Sequence, residues 1–126
     1  MKRLYADDDF EAVIRVFRPD EGGRSSPVFN GIRWDFVYAG EQPEDGPHMI
    51  WSDFIDKNAD TLPRDEAIPI DVPLRARMVI VADNMREKHR HKILVGGRFF
   101  CKEGPKRVAE GRITKITGLF EPRSYS

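Results

Sequence analysis

Phe10, Ala12, Ile14 and Val16 alternate with Glu11, Val13, Arg15 and Phe17. A period of two marks a strand with one buried face, because successive side chains leave the pleat on opposite sides. The alternation returns at Trp34, Phe36 and Tyr38. It returns again at Leu74, Ala76, Met78 and Ile80, set against Arg75, Arg77, Val79 and Val81. Residues 49–55 read as a short strand. After the apolar Ile93-Leu94-Val95 stretch and a Gly96-Gly97 turn, residues 98–102 read as another strand. Residues 108–119 close the pattern, with Gly111 as a candidate bulge point.

Between these segments the sequence breaks regular structure. Pro19, Gly22, Gly23, Ser25, Ser26, Pro27, Asn30 and Gly31 crowd residues 18–31. Residues 40–47 read as a loop rich in glycine, proline and acid. Residues 56–69 read as an irregular connection, of a length that is often functional or mobile. Only residues 83–92 suggest a helical turn, and that stretch is too short and too poorly capped to stand alone. Many short strands with Gly and Pro turns predict an all-β barrel or sandwich. The expected organisation is one domain over residues 1–120, with a flexible tail at 121–126.

Composition narrows the class. A chain of 126 residues, 40% of them hydrophobic, suits one globular core rather than disorder. No apolar run reaches the length of a membrane span, and the first residues lack the apolar stretch of a secretory signal. A cytoplasmic protein with no membrane partner is expected. Cys101 is the single cysteine, so no internal disulfide can form. Its place after Phe99-Phe100 predicts a small core hydrophobe rather than a reactive thiol.

The formal net charge is zero but unevenly spread. Residues 35–71 carry ten acidic groups against Lys57 and Arg64, a net of −8. Residues 86–115 carry ten basic groups against Glu87, Glu103 and Glu110, a net of +7. Such a block can mark a surface that meets polyanions. The alternative is that the two blocks face each other.

Three stretches carry a family resemblance. Phe10-Glu11-Ala12 leads a strand into Asp20-Glu21-Gly22-Gly23-Arg24-Ser25-Ser26-Pro27-Val28-Phe29-Asn30-Gly31-Ile32-Arg33. Val72-Pro73-Leu74-Arg75-Ala76-Arg77-Met78-Val79-Ile80 forms the middle block. Gly97-Arg98-Phe99-Phe100-Cys101-Lys102-Glu103-Gly104-Pro105-Lys106-Arg107-Val108-Ala109-Glu110-Gly111-Arg112-Ile113 forms the last. Together they resemble the C-terminal β-barrel domain of translation elongation factor Tu, across most of the span from Phe10 to Gly118. The resemblance implies a closed antiparallel Greek-key β-barrel of about six strands, standing alone. It also implies two tRNA-contacting loops, matching Arg24, Ser25 and Ser26 here and Glu103, Gly104, Lys106 and Arg107. Several positions depart from the family: Trp34 stands where it has proline, Pro105 replaces a glycine, Glu110 replaces a small residue, and residues 40–71 are longer and more acidic.

Each candidate has a plain alternative. Gly22 and Gly23 would let a backbone approach a phosphate, with Arg24 as a bidentate donor; equally, they simply make a turn. Pro105 removes one N–H donor from the second loop, while Lys106 and Arg107 add charge. His89 and His91, within a basic stretch, lack the ligand spacing of a metal site, so no metal and no cofactor is expected. Trp34, Phe36, Tyr38 and Trp51 could stack on bases, but aromatics at period two more often fill a core. No Gly-x-x-x-x-Gly-Lys-Ser/Thr phosphate loop occurs, and no nucleophile–base pair is legible, so neither GTP hydrolysis nor other catalysis is expected. No small-molecule substrate is evident. The reading is a non-catalytic, translation-associated binder of tRNA or another structured RNA. The alternative is a protein-interaction module that mimics this domain, sequestering a translation-factor partner or decoying an inhibitor or toxin.

Overall fold

The computed structural model describes residues 3–41 and 48–123. The elements run β1 (Phe10–Val16), a 3₁₀ turn at Pro19–Glu21, β2 (Arg33–Tyr38), β3 (His48–Ile55), β4 (Pro73–Ile80), α1 (Asp83–Arg90), β5 (Arg98–Glu103) and β6 (Lys106–Ile116). Six strands close into one barrel in the order β1-β4-β3-β2-β5-β6. Every neighbouring pair is antiparallel. β2, β3 and β4 follow one another in space, and β1 lies beside β4, which is a Greek key. The choice between barrel and sandwich thus resolves to the closed barrel, which removes open sheet edges.

The period of two becomes the wall of the core. Phe10, Ala12, Ile14 and Val16 point inward along β1, and Trp34 and Phe36 do so along β2. Phe36 stacks on Phe99 at 4.6 Å, and Phe10 meets both rings edge-on. Cys101 is wholly buried, as expected of a core hydrophobe. Trp51 points outward and stacks on Tyr5 of the N-terminal segment at 5.0 Å.

Gly111 is not a bulge point. The registers shift instead at two other places on β6. Cys101 pairs with Ala109 but Lys102 with Arg107, so Val108 is the extra residue. Ala12 pairs with Ile113 but Glu11 with Lys115, so Thr114 is the second. The first bulge turns both Val108 and Ala109 inward, where each is fully buried.

The stretch 83–92, the only one to suggest a helical turn, is a helix over Asp83–Arg90 despite its shortness. No side chain caps it. Tertiary contacts replace the missing local signal. Arg86 is buried and donates to Asp9 at 2.9 Å and to the Gly118 and Glu121 carbonyls at 2.7 and 2.8 Å. His89 packs against Phe36. Of the tail expected from residue 121, the described residues 121–123 lie against the barrel. Arg123 is buried, with its guanidinium at 2.7 Å from both Asp9 and Asp83. Residues 124–126 of that expected tail lie outside the described residues, as do residues 42–47 of the expected loop.

Strand direction sorts the connections into two ends. One end carries residues 17–32, residues 56–72 and the Gly104–Pro105 turn. The other carries Asp8 and Asp9, α1 and residues 117–123, while Tyr5 reaches back along the wall to donate to the Gly31 carbonyl at 3.1 Å. Connection 56–72 is irregular but tied down. Phe29 bridges Ala67, and the buried Asn30 amide donates to the Phe54 and Leu62 carbonyls at 3.0 Å. Among the described residues no helix is long and apolar enough to cross a membrane.

Candidate functional site

The two candidate loops, separated by some eighty residues of chain, meet at one end of the barrel. β1 ends at Val16 and the chain turns through Pro19–Glu21, where Glu21 accepts a hydrogen bond from the Arg18 amide at 2.9 Å. Gly22 takes φ +88°, which a side chain rarely adopts. Gly23 is needed for a different reason: a Cβ there would sit 2.5 Å from the Phe17 carbonyl oxygen. This packed turn delivers Arg24 to the end of the β5–β6 hairpin. One arm of its guanidinium lies 3.3 Å from Glu103, and the other donates to Ser26 Oγ at 3.0 Å.

Glu103 ends β5 and pairs with Lys106 across the two-residue turn Gly104–Pro105. Gly104 has φ +59°, the left-handed value that the first turn position of a type II′ hairpin demands. Pro105 follows where a fixed negative φ is tolerated. The same Glu103 oxygen accepts a hydrogen bond from Trp34 Nε1 at 2.9 Å. Trp34 is therefore a core residue with one polar handle: its ring packs on Phe54 at 6.3 Å while its N–H fixes the carboxylate beneath Arg24. Ser25, Gly104, Lys106 and Arg107 are exposed. The Arg107 guanidinium lies 4.0 Å over the Phe100 ring, a cation–π contact that holds it against the barrel.

The structure thus brings Arg24, Ser26 and Glu103 into direct contact and sets Ser25, Gly104, Lys106 and Arg107 around them. It does not leave Arg24 as an unattached rim charge. What the sequence could not show was Trp34 as the residue that orients Glu103. A tryptophan in an alternating strand reads as core, and nothing in its spacing reports where the indole N–H ends.

A second polar cluster lies at the other end. His89 and His48 are both buried, with ring centroids 5.0 Å apart, and the Tyr38 hydroxyl shares a 2.7 Å hydrogen bond with His89 Nδ1. The expected basic loop at residues 86–92 is thus part helix, with Arg86 and His89 turned inward. Burial first, then His48 and Lys92, lower the His89 pKa to about 4, so its imidazole is neutral at physiological pH. Burial likewise pushes the Tyr38 hydroxyl and the Cys101 thiol well above their ordinary values. Among the described residues no group of three histidine, cysteine or carboxylate side chains is placed to hold a metal ion.

The charge blocks do not simply cancel. Among the described residues one ion pair joins them, Lys92 with Glu41. Asp53 is held by Arg77 at 3.2 Å and Asp71 by Arg15 at 2.8 Å, both donors from outside the basic block. No protein-family model matches the sequence.

Proposed function

We propose that this chain is a non-catalytic binding module for structured RNA, with tRNA foremost, and a translation-associated relative of the C-terminal barrel of elongation factor Tu. One observation carries the reading. Two loops that the resemblance marks as tRNA contacts are joined by the Arg24–Glu103 contact into a single rim, with Lys106 and Arg107 exposed beside them. Glu103 serves as a positioning residue: held by Trp34, it fixes the Arg24 fork so that less conformational freedom is lost on binding. Arg24, Lys106, Arg107 and the Ser25 hydroxyl then face phosphate oxygens, which position a nucleic acid without reading its sequence. Affinity would come largely from counterion release.

The test is a titration of bulk tRNA between about 50 and 200 mM salt. The wild-type protein is expected to lose affinity steeply as salt rises. Arg24→Ala/Lys106→Ala/Arg107→Ala should reduce the slope of log affinity against log salt by about 3. Absence of binding, or binding indifferent to salt, sinks the reading.

The protein-interaction alternative has its own support. Phe29, Ile70 and Val72 are 44%, 43% and 40% exposed on or beside the connections of the same end, near the exposed Asp65 and Glu66. Retention of a translation factor that survives ribonuclease, in a protein that binds no tRNA, would favour it.

A further inference from the structure

The flank of the barrel below the rim carries charge that the fold does not use. Phe99 and Cys101 are buried, so Arg98, Phe100 and Lys102 share the outer face of β5. Across the ladder stand Arg112, Glu110 and, past the Val108 bulge, Arg107. Without that bulge the alternation would carry Arg107 to the inner face. Arg98 and Arg112 are direct cross-strand partners and both are exposed. Neither has an ion pair among the described residues. Side chains so placed leave the sheet about 5 Å apart, and like charges opposite each other destabilise a ladder.

The carboxylates nearby do not relieve the pair. Glu110 is held from the β1 side by Arg15 at 2.7 Å, and Arg15 also binds Glu21 and Asp71. Asp35 of β2 lies opposite Lys102, further along β5. Beside Arg98 and Arg112 the surface dips into a depression of about 250 Å³, lined also by Val13, Ala39, Phe100 and the paired Arg15 and Glu110. Same-face residues follow each other along a strand at about 7 Å. The cations therefore form a row from Arg98 and Arg112, through Lys102 and Arg107, to Lys106 at the rim.

The geometry points to a phosphate-backbone track on this flank, with Arg98 and Arg112 gripping one RNA phosphate between them in the depression. The inference rests on the RNA reading above and deepens it: the RNA lies along the β5–β6 wall instead of across the barrel's end alone. A phosphate placed between two guanidiniums turns a repulsive pair into two bidentate contacts. A local rule of sheet stability is broken at this position, and such breaks belong to functional sites. On this flank Phe100 is covered by Arg107, and the exposed side chains that border the depression, Arg98 and Arg112, are cationic, which suits a polyanion. The contacts are to backbone and read no base.

The experiment compares wild type, Arg98→Gln/Arg112→Gln, Arg98→Lys/Arg112→Lys and the rim triple variant in the same tRNA titration, with thermal melts of each. The Gln pair should bind at least about tenfold more weakly at moderate salt, with the salt slope reduced by about 2. Its melting temperature should equal or exceed that of wild type, because a repulsion has been removed. The Lys pair should keep most of the affinity. Lys88→Gln, a charge lost on α1, should leave binding unchanged. A Gln pair that binds tRNA as wild type does, including one that instead loses an acidic protein partner, overturns the track while leaving the rim reading intact. A Gln pair that melts lower than wild type while the Lys pair binds no better also overturns it, since the arginines would then be structural. A wild-type protein that binds no RNA removes the rim reading and the track together.

Discussion

Gly111 shows how one missing atom shapes the core. A Cβ at that position would stand 2.2 Å from the tip of the Phe99 ring, which stacks on Phe36 and meets Phe10 edge-on. The glycine is there for space, not for a turn. Gly111→Ala should therefore displace Phe99 and cost about 1–3 kcal/mol as overpacking, read as a lower denaturation midpoint with an unchanged denaturant slope. A neutral Ala variant would show that the ring has room to move. Trp34 acts at the same scale in two directions. Its ring fills the core, and its N–H reaches the carboxylate that holds Arg24. Cys101, fully buried and with its thiolate disfavoured, has no reactive character to add.

Helix α1 is an element that its own residues cannot sustain. Eight residues without a side-chain cap lie well below the length at which an isolated helix holds in water. The barrel supplies the rest, through Arg86 on Asp9 and through His89 against Phe36, Tyr38 and His48. That packing makes the element sensitive to pH. The folded protein holds His89 at a pKa of about 4, against an ordinary value of 6.5, because burial and then the neighbouring His48 and Lys92 oppose its charge. Between these values the unfolded chain binds the proton and the folded one does not. Stability is thus fully present above pH 6.5 and falls as the pH drops toward 4, by up to about 3 kcal/mol. Thermal melts across that range should show the loss, and His89→Phe should flatten it. Equal pH dependence in the two proteins would assign the effect to other groups. The β5–β6 hairpin makes the opposite case. Its Gly104–Pro105 turn and Val108 bulge are local devices, and β5 pairs with β6 over its whole length.

At the scale of the whole molecule, closure of the barrel is matched by one buried carboxylate that joins distant parts of the chain. Asp9, just before β1, accepts from the Ile80 amide at the end of β4 at 2.7 Å, from Arg86 on α1 at 2.9 Å and from Arg123 at 2.7 Å. Removing it leaves the buried Arg86 guanidinium without its carboxylate and Arg123 with Asp83 alone. Asp9→Ala should cost about 3–5 kcal/mol and loosen α1 and residues 117–123 together. Hydrogen exchange that rises in both segments at once is the expected signature, and exchange confined to one of them would show that the node does not couple them. The rim lies at the far end of the barrel from this node. A loss of stability there should therefore leave the Arg24–Glu103 geometry, and any RNA affinity, largely in place in the protein that remains folded.

The strands, the all-β class and most of the core were legible in the sequence, because a half-buried strand must alternate and Phe10, Ala12, Ile14, Trp34, Phe36, Ala76 and Met78 do so. Turn chemistry was legible where only glycine fits, as at Gly22 and Gly104. The candidate loops were visible too, as Arg24 with its serines and as Glu103 to Arg107, but not that one would hold the other. The resemblance already implied a closed barrel; only the tertiary structure decided what depends on pairing across the sheet: the bulge that turns Arg107 outward, the opposition of Arg98 to Arg112, and the meeting of His48 with His89. Alternation says which face a residue takes; register, which is set by bulges and by the packing of the entire core, says what stands beside it. The helix was visible only as a weak candidate turn and the buried Arg123 not at all, since both are held by charges that only folding places next to Asp9.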